Sequence, residues 1–173
     1  MILSLGVLLV GVVLFVALLP KHGRDPVREV DVVPQLDVFA RAAPYPVLAP
    51  RGLPPQWRPT SIRTTVPETR AGGTAELTIG YVVDRPSRTY AELDESNAPP
   101  EAFLRRELGD RPVTGSARVG ALTYEERRDA AGHLALTRTA NGVTVVVSDG
   151  GGRGGASRED LLVLAGSLRP RPR

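Results

Sequence analysis

The chain has 173 residues, 42% hydrophobic and 24% charged, with a formal net charge of +3 and no cysteine. Without cysteine there are no disulfides and no thiolate metal sites. Arg169, Arg171 and Arg173 supply three positive side chains, and without them the chain is formally neutral, so the charge does not describe a basic nucleic-acid-binding face.

Met1 to Leu19 carries no charged side chain and is almost all Leu, Val, Ile, Phe, Ala and Gly. As a helix this run rises about 28 Å at 1.5 Å per residue, close to the ~30 Å hydrocarbon core of a bilayer. A secretory signal peptide has a shorter apolar core, a basic leader and a small-x-small cleavage site, and Val16-Ala17-Leu18-Leu19-Pro20 offers no such site. Residues 1–19 are therefore expected to be an uncleaved transmembrane anchor. Gly6 and Gly11 are five apart, which is not the four-residue spacing of close helix dimers. Lys21, His22, Arg24 and Arg28 follow the span, so the positive-inside rule alone favours a cytoplasmic domain. Asp25, Glu29 and Asp31 dilute that bias.

Pro20 to Val33 is charged and proline-bearing and reads as a juxtamembrane linker. Pro34 to Ala43 predicts a short helix with Leu36, Phe39 and Ala40 on one side, ended by Pro44 and Pro46. Tyr45 to Trp57 is proline-rich and extended, which disfavours a central strand. Trp57, the only tryptophan, is expected to seal an edge of the core. Ile62, Thr64 and Val66, then Leu77, Ile79, Tyr81 and Val83, alternate with other residues in the period-two pattern of a sheet with one buried face. Thr89 to Leu93 reads as a return strand. A helix follows at about Pro99–Leu108, with Pro in its first turn, Phe103, Leu104 and Leu108 on its apolar side, and Gly109 as its stop. Val119–Arg128 and His133–Thr139 read as a hairpin turned at Asp129–Gly132. Asn141-Gly142 is the strongest turn dipeptide and leads into Val143–Val147. Ser157, with Asp160 three residues on, marks the N-cap of a last helix whose inward stripe is Leu161, Leu164, Ala165 and Leu168. The terminal arginines read as a solvated basic tail.

Few motifs suggest chemistry. Gly150 to Gly155 satisfies G-x-G-x-x-G between a strand and a helix. Yet no second parallel strand and no ribose-binding acid follow, and five glycines in six residues meet the pattern by composition. The run reads as a flexible, dispensable loop. Ser148 or Ser116 could be drawn with His133 and Asp129 as a triad, but no spacing supports it. His133 reads as a turn-flanking surface residue. Two histidines without cysteine are a poor start for a zinc site. Glu125-Glu126 and Arg127-Arg128 lie in a strand and so point to opposite faces in alternation. Asp94-Glu95 and Glu159-Asp160 read as solvated charge.

The N-terminal span, the charged Asp25-Pro26-Val27 stretch and the phrase Ala43-Pro-Tyr-Pro-Val-Leu-Ala-Pro50 precede Gly52-Leu-Pro, Trp57 and Thr60-Ser61. Gly80-Tyr81, Pro100–Leu104, Tyr124–Arg127 and Gly142–Val147 follow. Together these resemble the actinobacterial family called domain of unknown function 4245. The resemblance implies a membrane-anchored domain outside the cytoplasmic membrane and no catalytic residues. Members often carry basic residues before the span, which implies a start upstream of Met1.

The expected fold is α+β: an N-terminal transmembrane helix followed by a mostly antiparallel sheet with two or three short helices. Residues 1–19 form the anchor, 20–33 the linker, 34–168 the domain and 169–173 the basic tail. The expected function is non-catalytic binding or scaffolding in the cell envelope. The candidate partner-binding residues are Tyr45, Pro46, Leu48, Leu53 and Trp57. The alternative is a small ligand-binding or hydrolytic envelope enzyme. Neither catalytic, cofactor-binding nor metal-ligating residues are assigned. The expected partners are the lipid bilayer through residues 1–19 and an envelope protein, not nucleic acid.

Overall fold

A computed structural model describes residues 27–67, 73–152 and 154–172. The anchor expected at Met1–Leu19 lies outside the described residues, among which no helix is long and apolar enough to cross a membrane.

The period-two segments build an antiparallel sheet. In chain order the elements are α1 (Val33–Ala42), β1 (Leu48–Pro50), β2 (Trp57–Thr65), β3 (Glu76–Val83) and β4 (Thr89–Ser96). Then come α2 (Pro100–Leu108), β5 (Val113–Val119), β6 (Leu122–Arg128), β7 (Leu134–Ala140), β8 (Val143–Ser148), α3 (Arg158–Ser167) and β9 (Leu168–Pro170). Seven strands pair in the order β2-β3-β4-β8-β7-β6-β5, and β1 pairs with β9 in a separate two-stranded sheet. The fold is thus α+β with a large antiparallel sheet and three helices among the described residues.

Alternation assigns the two faces. Leu77, Ile79, Tyr81 and Val83 of β3 and Ala91 and Leu93 of β4 join Leu136, Val145 and Val147 in the main core. There they meet Leu36, Phe39 and Ala40 of α1 and Leu161, Leu164 and Ala165 of α3. On the opposite face Phe103 and Leu108 of α2 pack on Ala135 of β7 and Val146 of β8. Asp94 pairs with Val146, so Asp94 and Glu92, two residues away, share the face of α2.

Local chemistry explains the ends. Ser157 caps α3 by accepting the Asp160 N–H, as expected. Gly109 ends α2 at φ 61°, and Asn141 and Gly142 turn β7 into β8 at φ 52° and 74°. Both residues at positive φ is the two-residue turn that matches strand twist.

Two expectations about the elements are corrected. Val119–Arg128 is not one strand: Val119 ends β5, Gly120 turns at φ 61°, and β6 begins at Leu122. Val113–Ser116 is largely exposed on an edge strand, so it carries little apolar alternation to read. The basic tail is held: Leu168–Pro170 pairs with Leu48–Pro50, Arg171 N–H donates to Val47 O, and the Arg171 guanidinium bonds Asp37 at 2.8 Å.

The glycine run is also not a free loop. Gly150, Gly151 and Gly154 have φ of 73°, 65° and 84°. The Gly154 carbonyl accepts from Tyr90 N–H, and Ala156 N–H donates to Tyr90 O. A Cβ on Gly155 would lie 2.9 Å from both Asp149 Cβ and Asp149 O. Gly155→Ala is therefore expected to destabilise the domain by about 2 kcal/mol, within the usual cost of overpacking. Urea unfolding checks this, and an unchanged midpoint would show that the loop yields without cost.

Candidate functional site

α2 covers β7 and β8, and on the same face the sheet has an open cleft of about 270 Å³ over β2, β3 and β4. Its side chains include Thr60 and Ser61 from β2 and Tyr90 and Glu92 from β4, with the backbone of Gly150 and Gly152 along one wall. The floor follows from register. Ser61 pairs with Gly80, and Gly80 with Glu92. A Cβ at Gly80 would come within 2.6 Å of Ser61 Oγ, so the Ser61 hydroxyl leans over Gly80 and the cleft floor there takes no larger residue. Glu92 forms an ion pair with Arg63 at 3.7 Å, and burial raises the pKa of its carboxyl. Tyr90 is 48% exposed at the edge.

Two carboxyls read as solvated charge in the sequence are buried instead. Asp94 and Glu95 are 2% and 0% exposed and point to opposite faces. Burial, then the neighbouring Glu92, pushes the Asp94 carboxyl up to about 8. Its Oδ1 has no hydrogen-bond partner, while a hydrogen bond from Thr78 favours the ionised form. Glu95 lies on the core face, where burial pushes it up to about 8 against the Leu48 N–H bond to Oε2 at 3.1 Å. A carboxyl in such surroundings keeps its proton at neutral pH. The signal was available: alternation through Ala91 and Leu93 continues to Glu95. Asp160 is buried as well and takes a two-pronged bond from Arg85, at 2.8 and 3.2 Å.

A second polar cluster sits where β7 and β8 meet the glycine loop. Asp149 Oδ2 accepts from Leu134 N–H at 2.9 Å and lies 3.3 Å from His133 Nδ1. Its Oδ1 accepts from Gly151 N–H at 3.0 Å. Arg111 bridges Asp129 and Asp149 at 3.6 and 3.8 Å. Asp129 receives the backbone N–H of His133, not its ring, and Ser148 Oγ accepts from Gly150 N–H. The drawn triad of Ser148, His133 and Asp129 is not assembled. His133 is half-buried and carries the Asp149 contact, which sequence spacing did not indicate.

The charged pairs of β6 separate as alternation requires. Arg127 bonds Glu125 at 2.8 Å, while Glu126 bonds Arg158 of α3 across the other face. Among the described residues, no three His, Asp or Glu side chains gather as a metal site would require.

The proline-rich arm places its residues unevenly. Tyr45 and Trp57 are buried in the main core, Leu48 and Leu53 are half-buried against it, and Pro46 is exposed. The Tyr45 hydroxyl donates to the carbonyls of Ala75 and Glu95, and burial with the Glu95 and Glu76 charges raises its pKa. Trp57 packs edge-on to Tyr81 at 6.0 Å.

No curated protein and no solved structure matches the chain. A family model described as "Protein of unknown function (DUF4245)" matches residues 1–168. With nearly the whole length covered, the chain belongs to the DUF4245 family.

Proposed function

We propose that this protein is a membrane-anchored, non-catalytic binding or scaffolding domain of the cell envelope, held by residues 1–19 with the folded domain outside the cytoplasmic membrane. The observation that carries the binding reading is the open cleft beside α2, which leaves Ser61, Tyr90 and Glu92 reachable from solvent. The uncharged Met1–Leu19 run supports the anchor. A domain of this length can be translocated regardless of modest flanking charge, so Lys21, Arg24 and Arg28 do not forbid the outward side. On the arm, Pro46, Leu48 and Leu53 are the residues left for an envelope protein partner, since Tyr45 and Trp57 are engaged in the core.

The His133–Asp149 contact favours the second reading, a small envelope hydrolase, because a carboxylate at Nδ1 orients an imidazole as a base. That reading needs a nucleophile at the other ring nitrogen, and among the described residues the His133 ring bonds to Asp149 and to no serine hydroxyl.

Carbonate washing followed by protease treatment of intact, wall-stripped cells tests the proposal. The chain should stay with the membrane and lose its domain to protease. Release by carbonate would remove the anchor, and a C-terminal tag cut only after the cells are opened would place the domain in the cytoplasm.

A further inference from the structure

The cleft's lining is specific enough to name a ligand class. We infer that it holds one ring-sized unit of a neutral polysaccharide, an inference that rests on the binding reading above.

The argument starts with size. At about 270 Å³ the cleft is at the small end of ligand pockets, which begin near 300 Å³, so it suits a single ring and not an extended drug-like group. Ser61, Gly80 and Glu92 stand in register across β2, β3 and β4, with Ser61 Oγ leaning over Gly80. The backbones of β2 and β4 are two strand spacings apart, about 10 Å, which leaves room for one ring between Ser61 and Glu92 and no more. The cleft is open to solvent, so a chain longer than one unit can pass through.

Charge comes next. Arg63, the cation beside Glu92, is paired with it at 3.7 Å, and Arg58 nearby is paired with Asp84 at 3.7 Å. An anionic ligand would have to break one of these pairs. A cationic one would have to displace Arg63 from Glu92 or Arg111 from Asp149, the other carboxylate of the lining. A neutral polyhydroxylated ring leaves these pairs in place. The Glu92 carboxylate accepts from two vicinal hydroxyls, Ser61 Oγ both donates and accepts, and the Gly150 and Gly152 backbone adds further polar groups along the wall.

The third element is the aromatic wall. A sugar ring has an apolar C–H face that stacks on aromatic side chains, and Tyr90 has an apolar body with a polar tip. The glycine loop holds Tyr90 in place. The Tyr90 N–H and C=O are both bonded to the loop, to Gly154 O and Ala156 N. The Gly154 Cβ position lies 3.8 Å from the Tyr90 ring, and that of Gly150 lies 3.8 Å from Tyr90 Cβ. With no side chains there, the loop backs the tyrosine closely and keeps it standing at the cleft edge. A rigid aromatic platform costs little entropy on binding. The glycine run thereby gains a role that its resemblance to a phosphate loop does not provide.

The test uses the full chain in detergent micelles on an array of neutral microbial glycans, followed by titration calorimetry with the best hit. Binding that falls about tenfold in Tyr90→Ala, as loss of an aromatic contact predicts, and comparably in Glu92→Gln, supports the inference. Retention of binding in Tyr90→Phe supports stacking specifically. Both altered side chains line an open cleft, and urea midpoints of the variants confirm that they fold. Spermidine is titrated in parallel. If spermidine binds, is lost in Glu92→Gln, and no neutral glycan binds, the cleft is a cation site. The saccharide inference is then wrong while the binding reading stands. Glycan binding that survives both Tyr90→Ala and Glu92→Gln overturns the assignment to this cleft. An array without any hit overturns the inference and leaves the anchoring result of the fractionation experiment to judge the broader proposal.

Discussion

Trp57→Ala will lower the stability of the domain by about 3–5 kcal/mol, the range for truncating a large buried aromatic. Trp57 opens β2, is 6% exposed, and meets Tyr81 edge-on with an interplanar angle of 67°. Its removal leaves a cavity beside Tyr81 and Val83 of β3, and the strands around it cannot close the gap without breaking ladder bonds. Urea unfolding of the portion from Val27 onward, followed by circular dichroism, gives the number. Leu53→Ala, on the half-buried arm, is the comparison and should cost about 1 kcal/mol, in line with ordinary substitutions. Equal midpoints for wild type and Trp57→Ala, with loss of an envelope partner in pull-downs from solubilised membranes, would move Trp57 from the core to a binding surface.

The same unfolding experiment is expected to show stability falling as pH rises. In the folded chain the Glu95 carboxyl holds its proton up to about pH 8, against an ordinary value of 4.5. The folded state therefore binds more protons than the unfolded state between those values, and stability has a negative slope with pH there. The contribution is fully present below about pH 4.5 and is lost progressively as pH rises to about 8. Asp94 acts in the same direction, from an ordinary 3.8 to about 8. At ~1.4 kcal/mol for each tenfold in proton affinity, Glu95 alone accounts for a loss on the order of 3 kcal/mol between pH 5 and pH 9. Glu95→Gln keeps an oxygen for the Leu48 N–H and carries no charge, so it should match wild type at pH 5 and exceed it by about 3 kcal/mol at pH 9. A wild-type stability that is flat over this range, or a Gln variant with the same slope, would show that the buried carboxyl is ionised and stabilised in the fold.

The helices and most strands were legible because their signals are local. Leu36, Phe39 and Ala40 recur at helical spacing, and all three are buried. Ser157 and Asp160 form a cap whose geometry depends on four consecutive residues. Asn141-Gly142 determines its own turn, because few residues tolerate positive φ. The misread segments lack such signals. Val113–Val119 is an edge strand with only Ala117 buried, so its pairing is set by β6 and not by its own pattern. The paired tail depends on Leu48–Pro50, more than a hundred residues earlier. Asp94 and Glu95 look like any exposed acidic pair until β3 and β8 are seen on either side of β4.

The candidate site was less legible still. Tyr45 and Trp57 stand out in sequence because aromatic residues are rare in this chain, at 5% of the total. Rarity does not separate a core anchor from a binding anchor, since both use the same large apolar surface. Gly80, Tyr90 and Glu92 carry no sequence signature of a site.

The sequence by itself determined the α+β class, the family, the positions of the three helices among the described residues, and the uncharged run from Met1 to Leu19. These are properties of neighbouring residues and of composition, so they need no knowledge of the partner strand. Only the tertiary structure decided which end of the second sheet face stays uncovered. It also decided that the glycine run backs Tyr90, and that Ser61, Gly80 and Glu92 line up across three strands. The reason is register: strand pairing brings together residues that are far apart in sequence, and a one-residue slip would turn every one of them to the other face.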